Sequence, residues 1–214
     1  MHPADCPFWE YTNHVDHSSV ICARVSSILQ DLRLGTTDSC QVAVDPRPTH
    51  YTMFQNLTPP GYDYYAGHYR GEGYRCLQYC NVRVNGDPSV GFSAGFVIDS
   101  MEMFEQRVRR GVAELDLTAQ LPDSVFSSEQ KLLKTVLLAC HAFVTFLQIH
   151  PFVNGNGHMG RFIIWAILGR YGYWPSRWPV EPRPPDPPYT SNIVQFRQGN
   201  HGPLVRYILA CLAG

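Results

Sequence analysis

Residues 150 to 161 read His150-Pro151-Phe152-Val153-Asn154-Gly155-Asn156-Gly157-His158-Met159-Gly160-Arg161, a glycine-rich loop between the two most strongly helical stretches of the chain. Upstream, residues 128 to 148 place Leu133, Val136, Leu137, Cys140, Phe143, Val144 and Leu147 at spacings of three and four, the repeat of an amphipathic helix. Ser127 followed by Gln130 makes a capping box at its start, and Pro151 stops it. Downstream, residues 158 to 171 are apolar nearly all round (Phe162, Ile163, Ile164, Trp165, Ile167, Leu168), which predicts a central helix buried on every side, with Gly172 as its C-cap.

A glycine-rich loop that opens a helix suits an anion. Glycines let the backbone approach a phosphate, and the free amides and positive dipole end of the following helix favour negative charge. Arg161, one turn in, would clamp the same ligand through its guanidinium fork. His150, at the loop's other end, would face the phosphate as a general base, since imidazole titrates near neutrality. The bland alternative is a capped helix-loop-helix turn with an incidental histidine. Phe152 reads as a core anchor and His141 as a structural histidine. A zinc site from His141, His150 and His158 lacks a tight ligand pair.

Working outward, residues 18 to 33 carry Val20, Ile21, Val25, Ile28, Leu29 and Leu32 at helical spacing. Residues 49 to 75, rich in Tyr, Gly and Pro, predict loop or short strand. In residues 79 to 97, Cys80, Val82 and Val84 alternate with polar residues ahead of Asn85-Gly86-Asp87, which predicts a β-hairpin. Residues 101 to 117 return to helix, with Met101, Phe104, Val108, Val112 and Leu115 on one face. The prolines between 174 and 188 predict an extended connector, followed by short helices at about 189 to 198 and 203 to 212. The organisation expected is an N-terminal helix and extension over 1–59 and a core domain over 60–214, joined in one compact unit.

Composition sets the class. With 44% hydrophobic, 13% aromatic and 16% charged residues, the 214-residue chain is that of a globular protein able to bury a core. A net charge of −1 supplies no field for a nucleic-acid backbone, so none is expected as partner. Seven cysteines without a CxxC pair predict free thiols, which suits a reducing compartment. Neither a basic leader with an apolar run nor a stretch of eighteen apolar residues occurs, so the expectations are no membrane and a cytoplasmic address, with a secreted effector as the alternative.

The twelve residues of the loop together resemble the signature of the Fic family (Fic/Doc, Fido fold), His-x-Phe-x-Asp/Glu-Gly-Asn-Gly-Arg-x-x-Arg. His150, Phe152, Gly155, Asn156, Gly157 and Arg161 stand at its fixed positions. The resemblance implies a mainly α, Fic-type helical domain with a small β-hairpin flap beside the active-site loop, where Cys80, Val82 and Val84 would dock a target segment as an added strand. It implies a transferase that moves a nucleotidyl group, AMP from ATP first of all, onto a Ser, Thr or Tyr hydroxyl of a target protein. His150 would be the base, Gly155, Asn156, Gly157, His158 and Arg161 would hold phosphates, and Asn154 would hold Mg²⁺.

Two positions depart from the signature. Asn154 replaces a carboxylate and adds no charge to a metal site, and His158 replaces an arginine and cannot make a phosphate fork. Both weaken the hold on Mg²⁺-ATP, so other donors stay open: a diphosphate-linked molecule delivering phosphocholine, phosphoryl transfer, or binding of nucleotide and peptide without chemistry. The family's inhibitory motif, Ser/Thr-x-x-x-Glu-Gly/Asn, is missing around every glutamate of the chain, so restraint would fall to a separate antitoxin-like partner or to other means.

Overall fold

The computed structural model describes residues 6–82, 84 and 87–213. Eight α-helices are found among them: α1 His17–Leu34, α2 Ser39–Val44, α3 Arg47–Phe54, α4 Ala94–Ala119, α5 Ser128–Ile149, α6 Asn156–Arg170, α7 Tyr189–Arg197 and α8 Gly202–Leu212. The mainly α fold is therefore as expected. At its centre α5 packs against α6, because α6 buries every side chain from His158 to Leu168 and can sit nowhere else. Around this pair, α4 lies on α5, α2 touches both α6 and α4, α1 covers α3 and α6, and α7 and α8 close the side of α5. One hydrophobic cluster runs through the whole arrangement, from Trp9 to Cys211.

The start of α5 is the capping box expected from its sequence. Ser127 Oγ accepts from the Gln130 amide at 3.3 Å and Gln130 Oε1 accepts from the Ser127 amide at 2.8 Å. By length and composition α5 would also pass for a membrane span, but in this fold Val136, Ala139, Cys140, Phe143 and Phe146 are buried in the protein core.

Three expectations need correction. Residues 49 to 75 are not all loop, since α3 runs to Phe54 and buries Thr49, His50, Met53 and Phe54 on one face. Pro46 and Pro48 look like breakers in sequence, but they stand at the N-cap and first turn, where a missing N–H costs nothing. The second correction concerns the hairpin over 79–97, of which the described residues show little. Among the described residues it shrinks to an isolated bridge between Val84 and Asp87, and the expected turn residues Asn85 and Gly86 lie outside the described set. Its second arm goes instead into α4, which begins at Ala94, where Asn81 Oδ1 accepts the Ala94 amide at 2.8 Å and serves as a cap from across the loop. The third concerns the cysteines. Cys6 and Cys76 form a disulfide, while Cys22, Cys40, Cys80, Cys140 and Cys211 are free. The paired thiols are 70 residues apart, so only the fold, which lays the N-terminal segment beside residue 76, brings them together.

Candidate active site

The loop at 150–156 turns the chain from α5 into α6. His150 caps α5 in the left-handed region, φ 56°, an unfavourable conformation for a residue with a Cβ. Arg70 holds it there. This fully buried guanidinium donates from Nε and Nη2 to the His150 carbonyl (2.9 and 2.6 Å), from Nη2 to that of Ile149 (3.1 Å), and from Nη1 to those of Cys80 and Phe92 (both 2.9 Å). The cation sits at the negative end of α5 and ties the helix end to both arms of the 80–92 segment. Cys80 is buried and Val82 half-buried in the cleft wall, Val84 is half-buried, and these arms are joined through Arg70 where a strand ladder was expected.

The His150 ring donates from Nδ1 to the Leu147 carbonyl at 3.2 Å, which fixes the tautomer and leaves Nε2 as the basic nitrogen. Burial, with the Arg70 charge adding to it, pushes the imidazole down to about 4, against a smaller upward pull from the Leu147 carbonyl. At neutral pH the ring is unprotonated and competent to accept a proton.

Beneath the loop, Phe152 is fully buried and stacked on His50 at 3.7 Å between ring centroids. His50 accepts the Gly67 amide at Nδ1 (2.9 Å), so its proton is on Nε2, which donates to the Asn154 carbonyl at 3.0 Å. Burial pushes this imidazole down to about 3 and keeps it neutral. Gly155 has φ 78°, and a Cβ there would lie 2.3 Å from Cε2 of Phe54, so no other residue fits.

Each expected phosphate ligand has a definite place. The first ladder bond of α6 runs from Met159 N to Gly155 O, so the amides of Asn156, Gly157 and His158 precede it at the helix's positive end. The Asn156 side chain turns inward: Oδ1 accepts the Phe152 amide and Nδ2 donates to the Phe152 carbonyl, both at 2.9 Å. It locks the loop, and the expectation that it grips phosphate is corrected to its backbone alone. His158 is likewise turned from phosphate, donating from Nε2 to Glu181 at 2.6 Å. Burial keeps that imidazole below its ordinary value, and the bond to it holds the Glu181 carboxyl below its own, so a neutral ring donates to an ionised carboxylate. Arg161 commits Nε to the Val180 carbonyl at 2.8 Å and lays Nη1 over Gly157. Asn154 donates from Nδ2 to the Trp9 carbonyl (3.1 Å) and to Glu10 Oε2 (2.7 Å), while its Oδ1 accepts the Gly155 amide at 2.6 Å. The oxygen expected to ligate a metal thus already accepts one hydrogen bond from its neighbour.

These groups face a cleft of about 910 Å³, of nucleotide size. One wall is the loop and the α6 terminus, with His150, Asn154, Gly157 and Arg161; the other is residues 6–12 together with Glu181 and Arg183. Arg70, His50, Glu10 and Glu181 are functional candidates that sequence reasoning did not single out. Only His50 carried a signal, its helical spacing with Met53 and Phe54. His141 packs edge-on against Phe196 and His201 as a structural histidine, and among the described residues no three ligands gather for a metal.

The profile of the Fic/DOC family matches residues 50–168. Similar curated proteins include the "Protein adenylyltransferase Fic" of Drosophila grimshawi, 32% identical over 102 residues, and that of Drosophila persimilis, 31% identical over 102 residues. In both, the matched region is 47% of this chain and 20% of the relative.

Proposed function

The chain belongs to the Fic/DOC family, and from that premise we propose that it transfers a nucleotidyl group, AMP from ATP first of all, onto a Ser, Thr or Tyr hydroxyl of a target protein. The observation that carries this reading is the placing of His150, its Nδ1 proton tied to Leu147, on the same cleft wall as the open amides of α6. His150 Nε2 takes the proton of the target hydroxyl as its oxygen bonds to the α-phosphorus. The bond from that phosphorus to the α,β-bridging oxygen breaks, and pyrophosphate leaves with the electron pair. The amides of Asn156, Gly157 and His158 and the Nη atoms of Arg161 would neutralise phosphate charge, and positioning supplies most of the acceleration. The target would dock along residues 80–84. Asn154 would be a weak Mg²⁺ ligand in this arrangement, because its oxygen carries no charge and already accepts the Gly155 amide.

Glu10 and Glu181, two carboxylates on the cleft lining, favour as second reading a donor with fewer phosphates, such as a diphosphate-linked molecule that delivers phosphocholine. A separate inhibitory partner and the absence of nucleic-acid or membrane partners are further parts of the proposal. Of the two addresses expected from the sequence, the Cys6–Cys76 disulfide favours the secreted one over the cytoplasmic one. Incubation of the protein and its His150→Ala form with α-labelled and γ-labelled ATP tests the reading. Label carried to protein from the α position only, and only by the native form, is the expected result; label from the γ position means phosphoryl transfer, and none from either means another donor or a binding role.

A further inference from the structure

Asn154 cannot turn its amide the other way. The Trp9 carbonyl and the Glu10 carboxylate both accept, so they require the nitrogen; the Gly155 amide donates, so it requires the oxygen. The residue therefore presents a donor to the cleft's edge and fixes a carboxylate against it, Oε2 of Glu10 at 2.7 Å. The segment that carries this carboxylate is anchored as well. Trp9 is buried and donates from Nε1 to the Leu57 carbonyl at 2.8 Å, Tyr65 donates to the Pro7 carbonyl at 3.2 Å, and Cys6 is bonded to Cys76.

A fixed negative charge beside the N-terminus of α6 conflicts with a nucleotide site. The helix end and Arg161 attract a polyphosphate, while Glu10 repels it. Glu181, the other carboxylate of the lining, is committed to His158 at 2.6 Å. A divalent cation between Glu10 and the phosphates turns the repulsion into attraction on both sides. Magnesium is commonly held in this way, by one or two carboxylates with substrate phosphates and water rather than by a cage of protein ligands.

We infer that Glu10 is the carboxylate that binds a divalent, oxygen-preferring cation together with the donor's phosphates, supplying from the N-terminal segment the charge that position 154 lacks. The inference rests on the nucleotide-transfer reading above.

Mn²⁺ titrations of the full chain, followed by the spin-resonance signal of the free ion, test it in the presence of α,β-methylene-ATP. Replacing Glu10 by Gln keeps an acceptor for Asn154 Nδ2 and should leave the melting temperature unchanged. The expected results are a fall of roughly ten-fold or more in Mn²⁺ affinity for Glu10→Gln, a smaller fall for Glu10→Asp, and recovery when Asn154→Asp is added to Glu10→Gln. In EDTA, binding of the analogue by Glu10→Gln should equal or exceed that of the native chain, since a repelling charge has gone. Unchanged or tighter Mn²⁺ binding by Glu10→Gln would overturn the inference while leaving the nucleotide site intact. Failure of the native chain to bind the analogue, with Mn²⁺ and without, would sink the nucleotide reading and this inference with it.

Discussion

The two walls of the cleft are built in opposite ways. The loop wall is local: α5 ends, six residues pass, α6 begins, and His150 and Arg161 are brought together by helix geometry. The facing wall is assembled from stretches far apart in sequence. Residues 6–12 and Glu181 and Arg183 come from a terminal segment and a proline-rich connector, and they reach the loop through contacts such as Glu10 to Asn154, 144 residues apart. The loop wall carries the base and the amides, and the assembled wall carries the carboxylates. On the proposed reading, catalytic competence would belong to the first, and discrimination among donors and cations to the second.

The sharpest way to break this division is to remove the base. In His150→Ala, transfer should fall by roughly 10²- to 10⁴-fold, the usual worth of a positioned general base. The melting temperature should stay close to native, because the ring's one hydrogen bond is to a carbonyl of its own helix. Residual transfer within ten-fold of native would move the base to the other wall.

Next in size is the scaffold of the loop wall. In Arg70→Met the carbonyls of His150, Cys80 and Phe92 lose their buried donor, while that of Ile149 keeps the Phe92 amide, and at about 1 to 3 kcal/mol for an unsatisfied group the protein should lose roughly 3 kcal/mol or more in urea unfolding. A loss under about 1 kcal/mol would mean that the backbone bonds from the Gly91 and Phe92 amides to the Gln148 and Ile149 carbonyls hold helix and segment together without Arg70.

The contrast between the walls also accounts for what could be read in advance. Periodicity and capping describe neighbours in sequence, so α5, α6, the Ser127–Gln130 box and the placing of His150 and Arg161 were legible. The direction of the Asn156 side chain was not legible, because its partner, the Phe152 backbone, is chosen by the curl of the loop. α3 was hidden because residues 49–54 were read together with the Tyr-, Gly- and Pro-rich stretch that follows them. The hairpin was expected from alternation at Cys80, Val82 and Val84, but Asn81 caps α4 and draws the second arm into helix. Glu10, Glu181, Arg70 and the Cys6–Cys76 pair act across long separations, and no local pattern announces them.

A smaller effect separates the two cations expected on phosphate. Nucleotide affinity should fall roughly ten- to a hundred-fold in Arg161→Ala and less than about three-fold in His158→Ala, because His158 is turned to Glu181. Equal losses by calorimetry would place His158 on the ligand and redraw the boundary between the walls.

The smallest effect expected is on pH dependence. The free enzyme's kcat/KM reports the ionisation of its base. With His150 pushed down to about 4, kcat/KM should be nearly flat on the acid side from pH 8 to about 5, where an ordinary imidazole would already have cut it more than ten-fold. The groups that set this are the burial of the ring, the Arg70 charge below it and the Leu147 carbonyl. Stability should respond where activity does not. In the unfolded chain His50 and His150 take up protons near 6.5, whereas folded they do so only near 3 and 4, so between those limits the unfolded state binds more protons. The contribution of both rings is complete above pH 6.5 and drains away as pH falls toward their folded values, at up to about 1.4 kcal/mol per unit for each ring. The midpoint of urea unfolding should therefore decline from pH 6.5 downward while kcat/KM, measured on protein still folded, holds level. An acid limb near 6.5 in kcat/KM would show that the imidazole is not held under Arg70 as described, and that the loop wall lacks the fixed, neutral base on which the comparison depends.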